Sequence, residues 1–388
     1  MLLTLVRLQK MKYHYKWAKL PKNKTLINRI NNASAILYDK LEYYDVKTNN
    51  DISDYNKRYF GNLISNQSSI FHALQKYSYL LTWSLAYVNT PLNKIVFMDY
   101  GGGHGMLALL AKSAGIGTVI HNDIYEISCK DAQCIGNDLD LAADYYIPGD
   151  VDDVIKFRNE RDININVIAN YDVIEHIYDI EDFLDKLKVL SNSFQSVFFA
   201  SGANELNPRT KKKLRQQHIY FENNDRDFKV GRKSTDETRA LIEVRKKIIS
   251  EMNLDLNLSE IDQLAELTRG MMIDKIRQAV TNYICTGNPP NKPLHPTNTC
   301  DPYTGNWFEH LMDPFYLKNI LKKNGYDSEV IAGYYGKSKK ASNNVAKALL
   351  NMMISSNNRM GLRISPFYSI RGFKKSKKNT KINTSSLV

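Results

Sequence analysis

Apolar positions along the chain change their rhythm twice. Across residues 1–92 they recur at broadly helical spacing. Between Ile70 and Val88 the series Leu74, Tyr77, Leu80, Leu81, Leu85 and Tyr87 marks a helical segment, and Pro91 ends it. A polar, Asn-rich stretch near Asn49 to Asn56 precedes that segment. The pattern predicts a helical N-terminal region, 1–92, packed on a core. From Lys94 onward short apolar runs alternate with helical segments. Strands are predicted at 95–101, 117–123, 145–150, 166–172 and 196–202. Helices are predicted from Met106 to Ala114 and from Phe183 to Leu190. Strands alternating with helices imply an α/β fold, parallel pairing and right-handed crossovers.

The rhythm breaks at Asn204. Charged helical segments follow, then the Pro/Asn-rich run TGNPPNKPLHPTNTCDPYTGN. This predicts an insertion over 204–312. Alternation resumes with a helix from Phe315 to Asn324 closed by Gly325, a strand at 328–335, a helix from Val345 to Ile354 and a last strand at 362–373. Residues 374–388 are basic and are expected to be disordered. The organisation is therefore 1–92 helical region, 93–203 first part of the core, 204–312 insertion, 313–373 second part of the core and 374–388 tail.

Composition leaves this picture in place. The 388 residues include 43% hydrophobic and 24% charged positions, ordinary for a globular chain. No run approaches a membrane-spanning length. Arg7, Lys10 and Lys12 interrupt the apolar start, and no small-residue cleavage site follows, so a cytoplasmic protein is expected. Cys129, Cys134, Cys285 and Cys300 lack paired spacing, and neither a metal site nor a disulfide framework is expected.

Charge adds one feature. The net charge is +12, yet residues 337–388 carry 12 Lys or Arg and no acidic residue, and residues 1–24 carry 7 and none. The remainder holds 34 basic against 41 acidic residues. Such ends attract anionic lipid, nucleic acid or an acidic glycan. Val345, Leu349, Met352 and Met353 form an apolar stripe near Lys347. Leu2, Leu5, Val6 and Leu8 do the same beside Arg7, Lys10 and Lys12. Either stripe fits a surface-lying membrane element, and core packing fits the first equally well. A membrane-peripheral location is thus one expectation.

The principal chemical signal is Asp99-x-Gly101-x-Gly103-x-Gly105, after a strand and before a helix. Glycines there allow a tight turn and close backbone approach to a ligand. A dinucleotide fingerprint, GxGxxG, begun at Gly101 would place Met106 at its third glycine. Begun at Gly103 it would place Ala108 there, which is tolerated only weakly. Asp123 ends the second strand about 20 residues later, where a carboxylate can accept both ribose hydroxyl protons; both cofactor classes use that device. Asp150 follows the third strand, and Asp172 opens Asp172-Val-Ile-Glu-His-Ile177 after the fourth. Asp150 and Asp172 also suit helix capping, and Asp99 and Asp123 suit loop roles.

Taken together these segments resemble the class I S-adenosylmethionine (SAM)-dependent methyltransferases. The glycine run matches that family's D/E-x-G-x-G-x-G motif. The DVIEHI segment is similar to the D-V-L-E-H-I of the branch that includes ubiquinone-biosynthesis and many sugar or small-molecule methyltransferases. By motif the resemblance spans about 94–202. It implies a Rossmann-like seven-stranded, mostly parallel sheet with the last strand antiparallel. It implies SAM as cofactor, held by Asp99, Gly101, Gly103, Gly105, Asp123, Asp150 and Asp172. His104 sits within the loop and is a further candidate contact to the cofactor. The insertion, outside the family core, becomes the expected acceptor-binding lobe.

The expected reaction is O-methylation of a sugar, glycan or other small metabolite. A hydroxyl acceptor needs a base. Candidates are His176, Glu175, His310 and Glu309, the last two beside Trp307 and Phe308 in a segment equally suited to plain packing. RNA or protein methylation, a nicotinamide-dependent oxidoreductase and a catalytically silent SAM-binding protein are the competing expectations. Asn288-Pro-Pro290 resembles the N/D-P-P-Y motif of nucleobase methyltransferases, but its fourth residue is Asn291 and it lies in the insertion. Nucleic acid is therefore the less favoured partner.

Overall fold

The computed structural model describes residues 13, 18–226, 238–336 and 341–375. The apolar N-terminal run and the tail from 376 onward lie outside the described residues. In chain order the main elements are α1 (Lys24–Glu42), α2 (Asp54–Ile64), α3 (Gln67–Leu85), β1 (Val96–Tyr100), α4 (Met106–Ser113), β2 (Thr118–Asp123), α5 (Glu126–Asp138), β3 (Tyr145–Pro148), α6 (Val151–Arg161), β4 (Val167–Tyr171), α7 (Ile180–Lys186) and β5 (Gln195–Ser201). Then come α8 (Pro208–Asn223), α9 (Leu241–Ser250), α10 (Leu258–Leu267), α11 (Ile273–Thr286), α12 (Pro314–Lys323), β6 (Asp327–Ala332), α13 (Ala341–Ser356), α14 (Asn358–Ile364) and β7 (Tyr368–Lys374).

The chain divides into two compact units. The first holds residues 1–173, 181–201 and 314–388; the second holds 174–180 and 202–313. In the first unit seven strands form one sheet in the order β3-β2-β1-β4-β5-β7-β6. β7 runs antiparallel to both neighbours and the other pairings are parallel. This is the α/β, Rossmann-like, mostly parallel sheet expected, with its last strand antiparallel. The strand order reverses between β1 and β4. Parallel strands bring their carboxyl ends to one edge, and a reversal of order opens a crevice there.

Two strand ends differ from expectation. The last strand begins at Tyr368, because Asn357 caps α14 through the amides of Arg359 and Met360, so Leu362 to Ile364 are helical. β6 stops at Ala332. Beyond it, the Tyr335 amide donates to Asn351 Oδ1 and its carbonyl accepts from Asn351 Nδ2, so that backbone is taken by a side chain instead of a strand.

The three N-terminal helices begin at side-chain caps, Asn23, Ser53 and Asn66. α3 covers the sheet: Trp83 stacks on Phe198 of β5 with ring centroids 6.1 Å apart, and Tyr79 meets the same ring edge-on. The second unit has its own core, formed by Val244, Ile248 and Ile249 of α9, Leu264 and Ala265 of α10, and Ile276 and Val280 of α11. Arg245 is fully buried there; it pairs with Glu222, and its Nε donates to the Ala265 carbonyl at 2.7 Å.

Candidate functional site

β1 delivers the chain to the sheet's carboxyl edge and the glycine turn begins there. Gly101 has φ +65°, and a Cβ on it would lie 2.7 Å from Val173 Cγ2, so both conformation and space require glycine. Gly103 has φ +57°, and a Cβ there would meet nothing within 4 Å: open space lies over the middle of the turn. Gly105, φ +80°, precedes α4. Asp99 is buried, and its Oδ2 accepts from the Ala108 amide in α4 at 3.2 Å. Asp99 therefore ties the turn to the helix start.

Asp123 ends β2 beside this turn. Its Oδ2 accepts from the Gly103 amide at 2.9 Å and its Oδ1 from the Tyr125 amide at 3.0 Å. A carboxylate oxygen accepts two hydrogen bonds, so each keeps one acceptor position. Asp150 caps α6, accepting from the Asp152 amide at 2.8 Å, while Asp153 accepts from the Asp150 amide in return. Burial, then the carboxylates of Asp150 and Asp123, push the Tyr100 phenol up. Asp172 follows β4 with φ +55°, a conformation that costs a non-glycine residue free energy, and its amide donates to the Ala200 carbonyl at 2.9 Å.

The N-terminal helices contribute side chains that sequence reasoning did not single out for the site. The His104 ring lies 5.5 Å from Phe60 of α2 and 6.2 Å from Tyr77 of α3. Lys76 Nζ stands 4.1 Å from the Tyr171 ring centroid and 4.7 Å from that of Tyr77. Burial lowers the Lys76 ammonium, against the pull of Asp172. Burial, then Asp99 and Asp172, push the Tyr77 phenol up. Both side chains thus feel the charge of Asp172, and Tyr77 that of Asp99 as well. The available signal was a lone lysine inside an apolar helical run.

His121 was also missed. It pairs with Asp99 in the β1–β2 register and lies wholly beneath the turn. A Cβ on Gly102 would strike its Cε1 at 2.6 Å. Asp99 Oδ2 lies 3.9 Å from its Nδ1. Burial opposes charge on this ring, but Asp99 and the neighbouring Cys129 outweigh it and raise the imidazole to about 9. A folded value above the unfolded one of about 6.5 stabilises the fold fully below that pH. The contribution fades as pH rises through about 9. Thermal melts between pH 6 and 10 are expected to show this loss. His121→Gln should flatten that limb of the curve. An unchanged limb in the variant would assign it to another group.

In the second unit, His176, Glu175 and His310 come together with Trp307 and Glu309. His176 Nδ1 lies 2.8 Å from the Trp307 carbonyl. A carbonyl cannot donate, so Nδ1 carries the proton and Nε2 keeps its lone pair. Nε2 faces Glu309 Oε1 at 4.0 Å, with about a third of each side chain exposed. Trp307 is held between the Tyr178 and His310 rings, and its indole donates to the Tyr178 carbonyl at 3.1 Å. Glu309 has φ +57°, and His218 Nε2 lies 3.1 Å from its carbonyl. Burial, then His295 and His218, lower His310 to about 4, which leaves it a weak base at neutral pH. The Glu175 side chain is fully buried, and its carbonyl accepts from the His310 amide at 3.1 Å.

No protein-family model matches this chain, and no curated protein matches it. Among solved structures it is similar to the plantazolicin methyltransferase BamL, at 10% identity over 90% of this chain and 98% of that one, with a TM-score of 0.37. It is also similar to the magnesium protoporphyrin IX methyltransferase of Synechocystis with bound SAH, at 12% identity over 88% and 100%, TM-score 0.34. A third is a SAM-dependent methyltransferase from Archaeoglobus fulgidus, at 14% identity over 83% and 100%, TM-score 0.33.

Proposed function

We propose that the first unit binds SAM at the carboxyl edge of β1, β2 and β4, and that the chain transfers its methyl group to an acceptor hydroxyl. The observation that carries this reading is Asp123 beside Gly103. A buried carboxylate with one acceptor position left on each oxygen sits against a turn whose middle glycine faces open space. Those features fit an adenosine ribose and a closely approaching ligand. A nicotinamide dinucleotide fits the sequence less well. Its third glycine serves close helix–strand packing, and Met106 fills that position with a fully buried side chain.

In this reading Asp123 receives the ribose hydroxyls, and Asp150 lies near the adenine while capping α6. Gly101, Gly103 and Gly105 admit the ligand to the backbone, and Asp99 holds the turn in shape. Lys76, Tyr77 and Asp172 line the same edge. SAM, when bound, supplies an electrophilic methyl group on a sulfonium. Among the candidate bases, His176 is the one whose Nε2 is left able to accept a hydroxyl proton, with Glu309 beside it to stabilise an imidazolium. Trp307 holds the tautomer that leaves Nε2 free. Glu175 and His310 are positioning residues, the one too buried and the other too weak a base to take the proton.

The acceptor class is a sugar, glycan or other small metabolite. Incubation with methyl-labelled SAM and fractionated cell extract tests it. Label is expected in the small-molecule or glycan fraction, stable to mild alkali as an ether is. Label confined to RNA or protein would replace this class with that one.

A further inference from the structure

The helix α13 turns its apolar side outward. Val345, Leu349, Met352 and Met353 are 65%, 58%, 50% and 57% exposed. At 3.6 residues per turn these positions share an arc of about 100°. Its protein-facing side carries Ile354 and the fully buried Asn351, whose amide binds the Tyr335 backbone. In an ordinary surface helix the apolar stripe faces the core. Here an asparagine shares that role with Ile354 while a valine, a leucine and two methionines meet solvent. The patch continues into α14, where Met360 is 55% exposed between the exposed Arg359 and Arg363.

Charge selects what covers this face. From residue 337 to 388 there are 12 Lys or Arg and no Asp or Glu. On α13 and α14 themselves the charged residues are Lys347, Arg359 and Arg363, with no Asp or Glu. An apolar stripe that shares its helices with cations alone matches an anionic lipid surface, the stripe entering the acyl boundary while the cations meet headgroup phosphates. We propose that α13 and α14 dock this chain onto an anionic phospholipid bilayer, α13 lying in the interface plane. Among the described residues no helix is long and apolar enough to cross a membrane. The proposal is independent of the reaction assigned above.

Flotation of the full chain with vesicles tests it. Binding is expected to phosphatidylcholine vesicles that contain phosphatidylserine, with release as salt is raised, and much weaker binding to phosphatidylcholine alone. The double variant Leu349→Asp/Met352→Asp changes two exposed positions, so its thermal melt should match the parent. Its partition onto the anionic vesicles should fall on the order of 100-fold. Three results overturn the proposal: no flotation with anionic vesicles at low salt, equal flotation of the double variant, or a lipid-free dimer that the double variant dissolves. The last would make this face an interface between copies.

Discussion

Asp123→Ala is expected to weaken SAM binding on the order of 100-fold or more, the largest single effect on the cofactor site. Two charge-assisted hydrogen bonds to the ribose are lost together, each contributing about 1.5–3 kcal/mol. The substitution also frees the Gly103 and Tyr125 amides, so the turn loosens. Asp123→Asn separates these effects, because it keeps one carbonyl acceptor and removes the charge. Its melt should stay near the parent's while its affinity still falls. Gly103→Val should act in the same direction. Its φ of +57° strains a β-branched residue, and the side chain enters the open space over the turn. Affinity unchanged by both Asp123→Ala and Gly103→Val would remove the proposed placement.

His176→Ala should leave SAM affinity intact and lower kcat by about 10²–10⁴-fold, the usual range for loss of a general base. Glu309→Gln should retain part of the rate, since Glu309 acts on the imidazolium and not on the acceptor. A His176→Ala enzyme with the parent's rate would return the base to another group. A variant with lost rate and lost SAM affinity would show that His176 acts through the fold.

How far these features were legible in the chain differs by kind. The sheet was legible because buried strands such as Val197 to Ala200 are continuous apolar runs between turn residues, a purely local pattern. The start of β7 was obscured because Leu362 and Ile364 continue its apolar run, while the deciding event is the cap from Asn357. The glycine turn was legible because left-handed backbone at Gly101 and Gly105 restricts the residue type. His121 was not: a histidine in a strand looks the same whether it faces solvent or lies under a turn, and only the register with Asp99 decides. Arg245 shows the same limit. It reads as surface charge on α9, yet it is fully buried against Glu222 from α8. Asp150 carried both a capping reading and a ligand reading; the capping contact forms, and Asp153, which sequence reasoning did not single out, completes it. The segment 174–180 continues the motif after β4 in sequence, but it packs with the second unit, a long-range choice that spacing does not encode.

The central claim is that the turn from Asp99 to Gly105 with Asp123 holds SAM. Isothermal titration of the full chain with SAM and, separately, with NAD tests it most directly. Saturable binding of SAM at one site per chain, lost in Asp123→Ala, with no heat from NAD, is the result this account predicts. Saturable binding of NAD with none of SAM would contradict it.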